Sequence, residues 1–430
     1  MQHNLDRFYY LWALVVPITS FLIVPSLQGT VPAFMLSFAS VFVVIAFGGA
    51  LRSRYFVALG LCVMVWLLFL FLSQLGNLTV DFTPPFGEVI LVQPWDSTFV
   101  MRQSLFTQSL YLAAVVLYGV FMYVFYRKGW DRWLMAGAVL MASFGILECA
   151  WFAATGSYLD VISNRDFSDD TVFETYQKFQ EFDIAGHALL RMKGLTGEPS
   201  MYAFSILPFW VYARVACRSP WPARILGLSL ILTMSTTAFL GFVCVVAMRM
   251  RRVRVDALRA LLALLVLVVL AYLLRDQLLD FYQHGILDKF QGQNDSGAER
   301  TAHFLASVHY WESLPLLGQL FGVGFGYIRS TDMAGTLLVN NGIVGVLLFT
   351  FVFLYPVLRL DNSERSAALS QCLVAVYVMM MVSVPEFSYL APWGFVAMAY
   401  QKLRQLKRLG LMHRGQRDPQ RRLDLATERR

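Results

Sequence analysis

From residue 191 to residue 203 the chain reads R-x-x-G-x-x-x-E-P-x-x-x-A, carried by Arg191, Gly194, Glu198, Pro199 and Ala203. Proline suits a first helical turn, where a missing N–H costs nothing, and a carboxylate suits the positive end of a helix dipole. Glu198 and Pro199 therefore read as a well-capped helix start. Arg191 and Lys193 are not explained that way, and cations beside a helix N-terminus make a ready site for phosphate. Further on, Arg300 follows a Ser-Gly pair and His309 follows His303 by about a turn and a half. Arg329 comes after a Gly-x-Gly-x-Gly run, and Asn340 and Asn341 open an apolar stretch. Glu198 and His309 are the groups here that could move a proton. His309 is equally readable as a surface or packing residue. Asn340 and Asn341 either cap a helix or bind hydroxyl groups, and Glu386, at a helix end, has the same two readings. Gly322, Gly324 and Gly326 read as a tight turn, since no strand precedes them as a nucleotide loop requires.

Such residues need elements to hold them, and the composition fixes their kind. Of 430 residues 57% are hydrophobic and 15% charged, with mean hydropathy +0.57. That is more apolar side chain than a soluble domain can hide, and it predicts an all-α polytopic membrane protein. Twelve segments are expected: 8–24, 31–51, 55–75, 104–125, 134–154, 201–217, 225–234, 236–248, 257–274, 335–357, 367–384 and 389–400. The first is read as a retained helix, because no small-residue cleavage site follows it. Cys62, Cys149, Cys217, Cys244 and Cys372 lie in or beside apolar segments without disulfide or metal spacing. No metal site is expected.

The net charge of +7 comes from basic residues in short connections, which points to topology rather than to nucleic acid. Arg52 and Arg54, then Arg127, Lys128 and Arg132, then Arg218 and Arg224, then Arg249 to Arg254 mark one side as cytoplasmic. Residues 225–248 have basic connections at both ends, so the chain must turn back within them. The polar run Met234 to Ala238 is the expected break, giving a broken or re-entrant helical pair beside a cavity. Both termini are then cytoplasmic. Residues 1–400 form a single membrane domain with outer loops near 76–103, 155–200 and 275–334, and residues 401–430 a basic tail. Arg165, Lys178, Arg191, Lys193, Arg275, Lys289, Arg300 and Arg329 are cations held outside against the topological rule.

The 191–203 pattern resembles the signature of the O-antigen and exopolysaccharide repeat-unit polymerases (the Wzy family), relatives of the O-antigen ligases. The stretch SGAERTAHFLASVHYWESLPLLGQLFGVGFG (296–326), the helix start LLVNNGIVGVLLF (337–349) and PEFSYLAPW before the last segment are similar to that family too. The resemblance covers the second half of the chain. It departs where Ser235 is followed by Thr236 and Thr237 rather than arginine, and Asn340 stands where related ligases carry histidine.

The resemblance implies a type C glycosyltransferase (GT-C) architecture in the bacterial inner membrane, with no cofactor. It implies inverting transfer of a growing glycan from undecaprenyl pyrophosphate to a lipid-linked repeat unit on the periplasmic side. Arg191 and Arg300, with Lys193 or Arg329, would then grip the pyrophosphate, because guanidinium binds phosphate oxygens bidentately as their charge grows. Glu198 or His309 would serve as base, or Glu198 would orient an arginine, while Asn340 and Asn341 would meet sugar hydroxyls. Arg191 and Arg300 are accordingly expected to matter for activity and not for protein level. A chain-length regulator and a flippase are the candidate protein partners, beside the bilayer and the lipid-linked oligosaccharide. Two alternatives stand: an O-antigen ligase, and a lipid-linked oligosaccharide transporter, which would carry broken helices in both halves.

Overall fold

In the computed structural model the described residues are 2–25, 27–78, 89–159, 162–165, 179–184, 187–250 and 295–410. The expected segment 257–274 and the tail 411–430 lie outside them. The chain is predominantly helical: α1 (Gln2–Val15), α2 (Pro32–Phe47), α3 (Arg52–Leu78), α4 (Gln103–Phe125), α5 (Asp131–Thr155), α6 (Pro199–Ala216), α7 (Trp221–Leu232), α8 (Thr236–Met250), α9 (Asp295–Glu312), α10 (Leu316–Phe321), α11 (Met333–Arg359), α12 (Glu364–Ser383) and α13 (Leu390–Arg408). Among the described residues a single hairpin, β1 (Glu181–Ile184) with β2 (His187–Leu190), interrupts it. Among the described residues five helices are long and apolar enough to cross a membrane: α3, α4, α5, α11 and α12. The others are shorter or more polar.

Burial sorts these helices. Tyr9, Trp12, Tyr118, Phe121, Tyr202, Phe209, Met379 and Phe395 belong to one core shared by α1, α4, α6, α12 and α13. The apolar window of α3 is only 6% buried. Its outward leucines and phenylalanines fit lipid, where no hydrophobic force drives them inward. Its ends are anchored, the near one by the fully buried Tyr55 and the far one by Ser73, Gln74 and Asn77, which are also buried. Gln74 and Asn77 both donate to the Val323 carbonyl, at 3.3 and 2.7 Å.

The bundle has two polar ends. At one, Arg365 pairs with Asp131 at 3.2 Å, and the Tyr126 hydroxyl is hydrogen-bonded to both. Asp6 accepts from Trp130 there at 2.7 Å. At the other end lie the connections that hold Arg165, Arg329 and Glu386.

Three segments differ from expectation. The first helix covers 2–15 rather than 8–24, because the chain beyond Val15 takes its hydrogen bonds from elsewhere. The Thr19 and Ser20 N–H groups both donate to Leu195 O, and Asn164 and Arg165 donate backbone N–H to Ser20 O. The last helix runs on to Arg408, with Leu403 and Leu406 still buried. The third difference is in α11, where Gly342 (φ 63°, ψ −171°) breaks a segment expected to be continuous.

Around residues 233–235 the chain turns back. The Trp210 ring on α6 touches both Gly227 of α7, 3.0 Å from where a Cβ would stand, and Phe242 of α8, at 5.0 Å between centroids. Fifteen residues of straight helix would separate them by about 22 Å. The two helices are therefore a hairpin, with Met234 at φ 46° in the turn.

Candidate functional site

A cavity of 260 Å³ opens at the Arg165–Arg329 end of the bundle. Four elements build it. From α4 come Gln108 and Tyr111. The Gly-rich turn supplies Phe325 and Arg329, α11 supplies Thr336, Asn340, Asn341 and Phe349, and the link from α12 into α13 supplies Glu386, Phe387, Ser388 and Trp393. Arg165 and Gln28 close one side.

The turn can come this close because it carries glycine. Gly322, Gly324 and Gly326 have φ of 75°, 140° and 80°, and a Cβ on Gly322 would stand 2.2 Å from the carbonyl carbon of Asn340. The turn is stitched to the broken helix: the Val323 N–H donates to Val339 O at 3.0 Å and the Gly324 N–H to Asn340 O at 3.1 Å. These carbonyls lack helical partners because Gly342 leaves the helix. The Asn340 side chain completes the seam, accepting from the Ile328 N–H and donating to the Ile328 carbonyl, both at 2.9 Å. Asn340 thus spends its amide on backbone. Asn341 does not: its Oδ1 is buried at the cavity wall with no hydrogen-bond partner among the described residues.

Charge in the lining is two guanidiniums against one carboxylate. Arg329 lies 3.7 Å from Glu386, at 40% and 15% exposure. A half-exposed ion pair of this length holds little energy, so a ligand can reorganise it. Arg165 is fixed from behind, its Nε donating to Gln28 Oε1 at 3.0 Å and its Nη1 to Thr19 O at 3.1 Å. Glu386 accepts from the Ser388 hydroxyl at 2.6 Å. Tyr111, Phe325, Phe349, Phe387 and Trp393 supply aromatic faces.

The residues singled out from sequence fall in three places. Arg329, Asn340 and Asn341 line the cavity. Arg300 does not line the cavity; it is within electrostatic reach of Asp332, which caps α11 by accepting from the Gly335 N–H at 2.7 Å. Burial raises the pKa of the Asp332 carboxyl, while that cap bond and the Arg300 charge pull it down.

Arg191, Lys193 and Glu198 lie next door. Arg191 donates to the carbonyls of Thr233 and Met234, both at 3.3 Å, and to Gln180 Oε1 at 2.5 Å. It satisfies the open carbonyl end of α7 at the break, so it supports the fold in addition to any part in activity. Burial lowers its pKa and the nearby Glu198 charge raises it. Lys193 is buried with its Nζ 4.4 Å from the Phe179 ring centroid. Glu198 is exposed at the start of α6 and accepts from Ser200 at 3.1 Å. The buried Tyr389 hydroxyl joins the two regions, within electrostatic reach of Glu386, Arg165 and Glu198. His309 stands apart on α9, 75% exposed, paired with Glu312 at 3.5 Å.

Sequence reasoning passed over Arg102. It is fully buried and gathers the carbonyls of Val92, Gln93, Asp96 and Thr98 at 2.6 to 3.2 Å, which shapes the loop against the turn. Its signal was present, as an arginine just before an apolar helix on the outer side. Glu148, buried inside α5, was legible in the same way as an acid within an apolar span.

No protein-family model matches this chain, and no curated protein matches it.

Proposed function

We propose that the protein is a polysaccharide polymerase of the bacterial inner membrane, an inverting glycosyltransferase acting on undecaprenyl pyrophosphate-linked glycans at the periplasmic face. One observation carries the reading: a small cavity at one end of an apolar bundle combines two arginines, one carboxylate, an orphaned amide oxygen and a ring of aromatic side chains. Aromatic faces suit the apolar faces of sugar rings, amides suit hydroxyls, and guanidiniums suit a diphosphate. Bilayer-facing helices beside it would carry the polyprenyl tail.

In this mechanism Arg165 and Arg329 neutralise the pyrophosphate as the bond to the anomeric carbon breaks. Glu386 takes the proton from the attacking hydroxyl. Binding of the diphosphate draws Arg329 from Glu386, and this frees the carboxylate to act as base. Glu198 is the second candidate for that step, and Arg191 holds the neighbouring backbone. The twelve-segment GT-C arrangement, with both termini cytoplasmic, belongs to the same proposal.

A transporter of lipid-linked oligosaccharide is the second reading. It is favoured by the break at Gly342, which with the turn at 233–235 gives two interrupted apolar segments, although both lie in the second half of the chain rather than one in each half. Purified protein in liposomes, given lipid-linked repeat units, separates the readings. A glycan ladder supports the polymerase. Translocated but unextended units would replace it with transport, and glycan appearing only on added lipid A core would replace it with the ligase.

A further inference from the structure

The opposite end of the bundle has a recess that this chemistry does not use. Between the end of α6 and the start of α7 a hollow of 440 Å³ is lined by Trp210, Arg214, Arg218 and Arg224. No carboxylate lines it. Among the described residues none of the three arginines has an ion-pair partner. Arg214 stacks on Trp210 at 5.4 Å and Arg224 on Trp221 at 5.2 Å, which orients both guanidiniums while leaving their N–H groups available.

Three like charges converging on one hollow repel each other unless an anion sits among them. The surrounding surface says which anion. Trp221, Arg224, Leu228 and Ile231 follow at helical spacing along one face of α7, and Trp221, Leu228 and Ile231 are 62%, 49% and 66% exposed. That face runs from an interfacial aromatic through a cation to bare hydrocarbon, the profile of a lipid from headgroup to acyl chain. A free phosphate would use the arginines and leave the apolar face idle.

We infer that this recess binds the phosphate headgroup of an anionic phospholipid, with the acyl chains on the Leu228–Ile231 face. This site does not rest on the catalytic reading. Its chemistry, a phosphodiester held by guanidinium, could also come from dissolved phosphate.

The test uses the full chain in mixed micelles, following thermal unfolding as phosphatidylglycerol, phosphatidylcholine or inorganic phosphate is added, with native mass spectrometry to count retained lipid. A saturable rise in Tm with phosphatidylglycerol alone is expected, with one lipid retained. In Arg218→Gln/Arg224→Gln the apparent affinity should fall roughly thirty-fold, about five-fold per arginine and a little more. Arg52→Gln/Arg54→Gln, which removes the same charge elsewhere on that end, should keep wild-type affinity. Equal losses in both variants would reduce the effect to general surface charge and overturn the site. An equal rise with inorganic phosphate would make it an anion site without lipid. If the double variant does not fold, Arg218→Gln alone decides, with a loss of about five-fold expected and an unchanged affinity refuting the site.

Discussion

Arg329 and Arg165 are the side chains on which the proposed chemistry turns. Removing one preorganised group that stabilises developing charge costs on the order of 10²-fold in rate. Arg329→Ala or Arg165→Ala should therefore lower polymer formation by about that factor, with Tm in detergent within about two degrees of wild type. Wild-type ladders from either variant would refute the clamp. Arg329→Lys should recover only part of the loss, because ammonium cannot make the bidentate contact. A separate prediction concerns Asp96, which accepts from the Thr98 N–H and hydroxyl and from the Gln103 N–H at the start of α4. Those bonds, led by the Thr98 hydroxyl, hold its carboxyl at a pKa of about 2, below the ordinary 3.8. A depressed folded pKa gives stability that is complete above the unfolded value and fades as pH falls from about 4 to about 2. Asp96→Asn should thus lower Tm at pH 7, and the gap from wild type should close toward pH 2. At this scale the sequence singled out Arg165 and Arg329, which line the cavity, together with Arg191 and Lys193, which do not, and could not apportion them. Arg191 stands in the most suggestive pattern yet spends its donors on Thr233 and Met234, because only the folded chain shows which carbonyls lack partners.

Helix breaks set the geometry that those side chains inherit. Arg191→Ala would leave the end of α7 with bare carbonyls in a buried place, a loss on the order of 2 kcal/mol for charge-assisted bonds. Tm should fall by several degrees, and Arg191→Lys should restore part of it. No fall would mean that the turn at 233–235 is held by the contacts of α7 and α8 alone. In α11 the break depends on Gly342, whose Cβ, if it had one, would lie 2.4 Å from the carbonyl carbon of Leu320. Gly342→Ala should cost more than the roughly 1 kcal/mol of an ordinary glycine replacement, since positive φ and a backbone clash act together. Polymer formation should fall with it, because Asn340 and Asn341 would lose their register. The first break was legible in the sequence, from basic connections at both ends of one apolar run. The second was hidden, because Asn-Asn-Gly within a long apolar helix looks like polar decoration until the Gly-rich turn is packed against it. Likewise β1 and β2 fall within a stretch that the sequence marks only as an outer loop, since four-residue strands carry too little alternation to stand out.

Taken whole, the bundle sets two charged ends apart by its thickness. Asp131 and Arg365 mark one end and Arg329 and Glu386 the other. Single cysteines in a cysteine-free background test which end faces which compartment. Trp95→Cys, at a position 71% exposed, should react with an impermeant maleimide from the periplasm. Asn362→Cys should react only after the membrane is opened. Reversal of the two would put the proposed site on the cytoplasmic side, where a periplasmic polymerase cannot work. The size of the cavity has a further consequence. At 260 Å³ it is smaller than the about 300–1,000 Å³ of sites that enclose drug-sized molecules. On the polymerase reading it admits about a single pyranose ring beside a diphosphate, so the enzyme senses the tip of a glycan and nothing of its history. Such a chamber contains no ruler: a strand of two repeats and one of fifty present the same face to it, and any preferred length must be imposed from somewhere other than this cavity.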